Sequence, residues 1–268
     1  MHALIIDIID TIPTGLLCLF YILVCVLASQ AGLFVFNLYF WDKEPIHSNE
    51  VTGIVFGAIS LIYSLILAFV IVAVWENYEE LNKTIASEAD KLNSIMAHSA
   101  TLPDSLQQPM KTAMISYCNQ VVNKEWRMEH SNEADQPSAI PELRLMLLRL
   151  EPRSKSEESI YNVLDEDLSS LSDLRRNRLS HNRSQVPDLV WLILKAGSVM
   201  LIIFSYFFNV QSLKQKSIYL TFLSGYIAMC MFLVYTLDHP FIGNVQVSRQ
   251  PYTNILMSLR QYYAITQK

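Results

Sequence analysis

Four stretches of this chain, Leu16 to Tyr39, Gly53 to Trp75, Leu189 to Asn209 and Ser217 to Leu237, run 21 to 24 residues each and carry one charge between them, Lys195. About 20 helical residues cross the roughly 30 Å of bilayer hydrocarbon, where the backbone must satisfy its own hydrogen bonds. The chain therefore reads as an all-α protein with four transmembrane helices. The first run is read as an uncleaved helix and not a secretory leader, because Asp7 and Asp10 precede it without a Lys or Arg, and the apolar run continues past "LASQA" to Trp41.

Between the second and third runs, residues 76 to 186 hold 18 acidic and 13 basic side chains, 31 of the chain's 45 formal charges. This segment faces water and reads as a helical domain inserted into a membrane protein. The expected organisation is a membrane hairpin over 1–75, a cytoplasmic helical domain over 76–186, a second membrane hairpin over 187–237 and a cytoplasmic tail over 238–268. Lys83, Lys91, Arg175, Arg176, Arg178, Arg183 and Arg249 flank the spans on one side, against Lys43, Lys214 and Lys216 on the other. The basic side is cytoplasmic, and both termini share it. A net charge of −5 without a concentrated basic face excludes nucleic acid as the expected partner; the bilayer is the first partner.

No Pro or Gly occurs between Gly57 and Pro103, so the second span is expected to leave the membrane as one rod of about 50 residues, roughly 75 Å long. Its wet half keeps an apolar seam of Tyr78, Leu81, Ile85, Leu92 and Ile95. Glu88, beside Ala89, occupies the rung where an apolar residue is missing. A carboxylate there either finds a structural partner, reaches solvent or faces ions. A second helix is expected from Pro109, with Met110, Met114, Tyr117, Val121 and Met128 on one side and Glu125 and Trp126 after them. A third opens at Pro141. The fourth opens with the capping box Ser154 and Glu157 and carries Ile160, Leu164, Leu168, Leu171 and Leu174; its basic end, Arg175 to Arg178, suits a helix C-terminus. Glu129 to Ser138 reads as a loop.

The six histidines are scattered, seven glycines form no phosphate loop, and no nucleophile and base can be placed together from spacing alone. An enzyme is not the expected class, and neither a cofactor nor a metal is implied. Three of the four cysteines fall inside predicted spans and read as core residues, and the sequon at Asn182 falls on the expected cytoplasmic side.

Two membrane features stand out. Gly53, Gly57, Ser60, Ser64 and Ala68 share an arc of about 80° on the second span, which fits either a close helix-packing seam or a wall of a water-filled path. Lys195 lies about 9 Å inside the third span, either snorkelling past Trp191 to the interface or facing the bundle interior.

The segments "GAISLIYSLILAFVIVAVWENYEELNKTIASEADKLNSI", "YCNQVVNKEW", "PDLVW" and "LDHPFIGNVQVS" bring together Tyr63, Phe69, Trp75, Glu88, Ala89, Glu125, Trp126, Asp238, Pro240, Phe241 and Gly243. That combination resembles the bestrophin-like domain of bacterial membrane proteins, which is distantly similar to the bestrophins. The resemblance implies a multi-pass protein of the cell membrane, the inner membrane in a Gram-negative source. It also implies a homo-oligomer, pentameric by analogy, in which the second membrane helix lines an ion pore and continues into a helical vestibule. Gly57, Ser60, Ser64 and Ala68 are then the pore-lining candidates. The sequence departs from bestrophins in lacking bulky neck residues on that face and an acidic calcium clasp. Anions are the default by analogy, whereas Glu76, Glu79 and Glu80 at the end of the span favour cations. The competing expectation is a non-conducting membrane scaffold whose helical domain binds a cytoplasmic partner. Asp238, at a membrane edge where Pro240 stops the helix and Gly243 permits a turn, is expected to pair with an arginine of the 175–178 run.

Overall fold

The computed structural model describes residues 13–40, 49–126, 139–149, 152, 154–181, 186–210, 212–241 and 246–266. Lys43, Met128, Asn182, Arg183, Gly243 and the expected loop from Glu129 to Ser138 lie outside them. The described residues contain helices and no strand: α1 (Thr14–Phe40), α2 (Asn49–Ser99), α3 (Asp104–Gln120), α4 (Ile140–Leu148), α5 (Lys155–Ser180), α6 (Asp188–Ser205), α7 (Leu213–Asp238) and α8 (Gln250–Thr266). One π-helical turn, Val121–Glu125, extends α3. Four helices, α1, α2, α6 and α7, are long and apolar enough to cross a membrane.

The helix α2 runs unbroken for 51 residues, about 77 Å at 1.5 Å per residue. Pro103 then caps α3. This corrects the expected start of that helix at Pro109, which instead lies inside it. Pro103 and Asp104 are the better start signal, since the preset φ of a proline suits entry to a helix and an acidic residue favours the first turn. The cap of α5 is as expected: the Ser154 hydroxyl accepts the Glu157 N–H at 3.2 Å.

The chain divides into two compact units, one formed by Met1–Tyr78 and Ser184–Gln246, the other by Glu79–Arg183 and Val247–Lys268. The core of the first brings Tyr63, Leu67 and Val74 of α2 against Leu194 and Leu201 of α6 and Ile227, Met231 and Val234 of α7. Apolar side chains gain little from leaving lipid for protein, so packing of small residues and interhelical hydrogen bonds must hold such helices together. Both are present. A Cβ on Gly197 would stand 2.6 Å from the Tyr63 ring, and one on Gly32 would stand 2.5 Å from the Tyr206 hydroxyl. Tyr63 and Ser198 share a hydrogen bond of 2.7 Å; Ser29 donates to Ser224 at 3.0 Å; Gln30 donates to the Ser217 carbonyl and to Thr221, both at 2.9 Å.

The second unit is a helical bundle. From α2 it buries Leu81, Ile85, Leu92 and Ile95, and from α3 Met110, Met114 and Tyr117, with Val121 on the π turn, so these members of the two expected stripes face its core, whereas Tyr78 is half-buried against the core of the first unit. Leu164, Leu168 and Leu171 of α5 complete it, together with Tyr252, Ile255, Leu256 and Leu259 of α8. The stretch expected as a tail thus contributes a packed helix. Its i, i+3, i+4, i+7 spacing is the helical signature that a label of tail passes over.

Candidate functional site

In the second unit, the missing apolar rung at Glu88 is filled by an ion pair. Glu88 and Arg178 are both fully buried, and Arg178 donates from Nε to Glu88 Oε2 at 2.8 Å and from a terminal nitrogen to Oε1 at 3.3 Å. The Tyr117 hydroxyl donates to Glu88 Oε1 at 2.5 Å. A second carboxylate, Glu125, is carried inward by the π turn and accepts from Arg178 at 2.6 Å and from Arg175 at 2.8 Å. The Tyr252 ring lies 5.8 Å from the Arg178 guanidinium and meets Trp126 edge-on at 5.9 Å.

Burial pushes the Glu125 carboxyl up, but Arg178 and Arg175 outweigh it and leave the group below its ordinary value. Burial also opposes the charge on Arg178, and Glu88 reverses that, holding the guanidinium well above its usual range. The phenols of Tyr117 and Tyr252 are driven far up, first by burial and then by the Glu88 charge. Burial likewise pushes the Cys118 thiol up to about 12, so it is a poor nucleophile near neutrality. Of the readings open for Glu88, the structure shows the structural partner. Two carboxylates engaged by two guanidiniums form a clasp, with both acidic groups buried. Among the described residues, no group of three or more His, Cys, Asp or Glu is placed to hold a metal ion.

The sequence reading put Arg175 and Arg178 at a helix C-terminus and missed their burial. A signal was there. Leu81, Glu88 and Ile95 are seven residues apart, and so are Leu164, Leu171 and Arg178. Opposite charges on matching rungs of two apolar seams predict each other.

In the first unit, Asp238, expected to pair with an arginine of the 175–178 run, accepts two hydrogen bonds from the start of α6 and the residues before it. Its Oδ1 accepts the Val186 N–H at 3.0 Å and its Oδ2 accepts the Trp191 indole N–H at 3.1 Å, tying the end of α7 to the start of α6. The arginines at 175 and 178 hold Glu125 and Glu88, and Arg176 holds Asp173. Pro240 and Phe241 are buried beside this tie.

The small-residue face of α2 is not the seam by which this unit packs. Tyr63 and Leu67 fill that seam, whereas Gly57, Ser64 and Ala68 are exposed and Ser60 is half-buried. A Cβ on Gly57 would meet nothing within 4 Å. The hydroxyls bond back to their own helix, Ser60 to the Phe56 carbonyl at 2.7 Å and Ser64 to that of Leu61 at 2.9 Å. Phe69 and Trp75 are also exposed. Lys195 is exposed, and its Nζ lies 5.2 Å from the Trp191 ring, the direction expected of a snorkelling side chain.

Four apolar helices, one of them continuing into a charged bundle, define a helical membrane protein. The chain belongs to the bestrophin-like family, whose Bestrophin-like domain matches residues 20–252. Its fold is that of crystal structures of a bacterial bestrophin homologue from Klebsiella pneumoniae carrying single mutations. One is 15% identical with a TM-score of 0.66, covering 93% of this chain and 99% of the homologue. Another is 12% identical with a TM-score of 0.64, covering 91% and 96%. A third structure, described as a membrane protein, is 15% identical with a TM-score of 0.66, covering 93% and 97%. No curated protein matches the chain.

Proposed function

We propose that this chain is one subunit of an oligomeric ion channel in which α2 lines the pore, and that its charged bundle lies in the cytoplasm. Family and fold support the reading, and one observation carries it. The membrane half of α2 packs through Tyr63 and Leu67 and leaves its small face, Gly57, Ser64 and Ala68, exposed among the described residues. A face of this kind suits an oligomer axis, where helices from several copies surround water and small side chains leave it room. The basic side of the spans orients the bundle inward by the positive-inside rule. The family likeness favours anions, while Glu76, Glu79 and Glu80 at the wet end of the span favour cations.

The deciding experiment is ion flux from liposomes holding the purified chain, measured separately with chloride and potassium, alongside the particle mass in detergent. A pore-forming assembly of several copies with flux of either ion above empty vesicles supports the reading. A monomer, or no flux of either ion, overturns it in favour of a non-conducting scaffold.

A further inference from the structure

We infer that the outward face of α6 is a binding site for an anionic phospholipid, with Lys195 holding the phosphate and one acyl chain lying in the trough below it. The trough has a volume of about 530 Å³, and Lys195 is its one charged lining residue, with Ala196, Met200, Phe204 and Phe207 among the others. The small side chain of Ala196 between longer neighbours makes the hollow. From Lys195 to Phe204 is nine residues, about 14 Å of helix, close to half the roughly 30 Å thickness of bilayer hydrocarbon. One leaflet's acyl chain therefore has a surface of matching length and chemistry.

Charge decides what covers this face. A lysine exposed in a span needs an anion or a path to water, and the Trp191 ring at 5.2 Å supplies only part of that need. A second copy of this chain packed on the trough would have to bring a carboxylate to that depth. The four apolar runs contain no Asp or Glu at all. The anion found where a Trp marks the interface is the phosphate of a lipid, and basic side chains between apolar ones are how membrane proteins select it.

The test is native mass spectrometry of the full chain in detergent, titrated with dioleoyl phosphatidylglycerol or dioleoyl phosphatidylcholine. Wild type should retain the anionic lipid about fivefold better than the zwitterionic one, the factor expected of one basic side chain at an anionic interface. Lys195→Gln should lose that preference and Lys195→Arg should keep it, while Ala196→Trp should lower retention of both lipids by filling the hollow. Equal retention of the two lipids by wild type, or an unchanged preference in Lys195→Gln, overturns the site. So does displacement of the lipid by millimolar inorganic phosphate, which would mark a free-anion site. Near-complete disulfide cross-linking between copies of Val199→Cys, made with the four native cysteines replaced, would show that protein covers the trough and overturn the site. Should Lys195→Gln fail to fold, the wild-type preference and the Ala196→Trp loss decide the matter. None of these outcomes depends on whether the assembly conducts.

Discussion

Arg178 is fully buried with two carboxylates, and a buried guanidinium is costly unless such partners hold it. Removing it strands Glu88 in an apolar interior without a cation and leaves Glu125 with Arg175 alone. Arg178→Met should therefore destabilise the protein by about 3–5 kcal/mol in denaturant unfolding, while Glu88→Leu combined with Arg178→Met should recover at least half of the loss. A cost below about 1 kcal/mol would remove the clasp from the account. The same residues set a pH window. Glu125 titrates below its ordinary 4.5 in the fold, so its contribution is present above pH 4.5 and is lost as pH falls through the folded value. Tyr117 and Tyr252 titrate above their ordinary 10, so their contribution is present below pH 10 and fades as pH rises beyond it. The Cys118 thiol, raised to about 12 from an ordinary 9.0, begins the alkaline loss earlier, so melting temperature should be flat between pH 4.5 and 9 and fall outside those limits, and the acid limb should weaken in Glu125→Gln. The heptad register made Glu88 conspicuous in the sequence, but its partner lies 90 residues away. Spacing along one helix says what a position wants and not which residue answers it.

At the scale of elements, local chemistry sets starts and stops. Ser154→Ala should cost about 1 kcal/mol, the usual worth of a serine N-cap, and Pro109→Ala should stabilise α3 by supplying the amide hydrogen bond that proline lacks. Thermal melts of the two variants should therefore shift in opposite directions. The long helix invites a sharper test. Ala86 is exposed on α2, so Ala86→Pro loses no packing, yet it costs about 3 kcal/mol or more and bends the helix. If the unbroken helix is what function needs, Ala86→Pro should abolish flux while Ala86→Ser leaves it unchanged. The spans, the unbroken α2 and the α5 cap were legible because hydropathy and capping are local. The π turn was not, since Val121 to Glu125 differs from an α-helical stretch only in what it must aim inward, Glu125 toward Arg175 and Arg178. Nor was the packing role of α8, because a polar composition hid a seam of four apolar residues.

At the scale of the whole molecule, the open question is which surface of α2 meets water, and the described packing narrows it. Tyr63 and Leu67 are occupied within the protomer, leaving a small-residue surface through Gly57 and Ser64 and a bulky one through Ile62 and Phe69. Sequence periodicity found the first surface but left packing seam and water path both open, because the same small side chains serve each. Exposure of Gly57, Ser64 and Ala68 removes the first option among the described residues of one chain; an oligomer restores it between chains or fills it with water. Ser64 and Ile62 lie about 160° apart on the helix, so they cannot both face one axis. On the pore reading, Ser64→Cys should react with a charged, water-soluble thiol reagent, and the reaction should cut flux severalfold. Ile62→Cys should stay unreactive against lipid. Both should be made with the four native cysteines replaced by Ala or Ser, a background whose flux is measured first. Reaction at position 62 and protection at 64 would move the water path to the bulky face. Protection at both positions, in an assembly that still conducts, would remove α2 from the pore wall altogether.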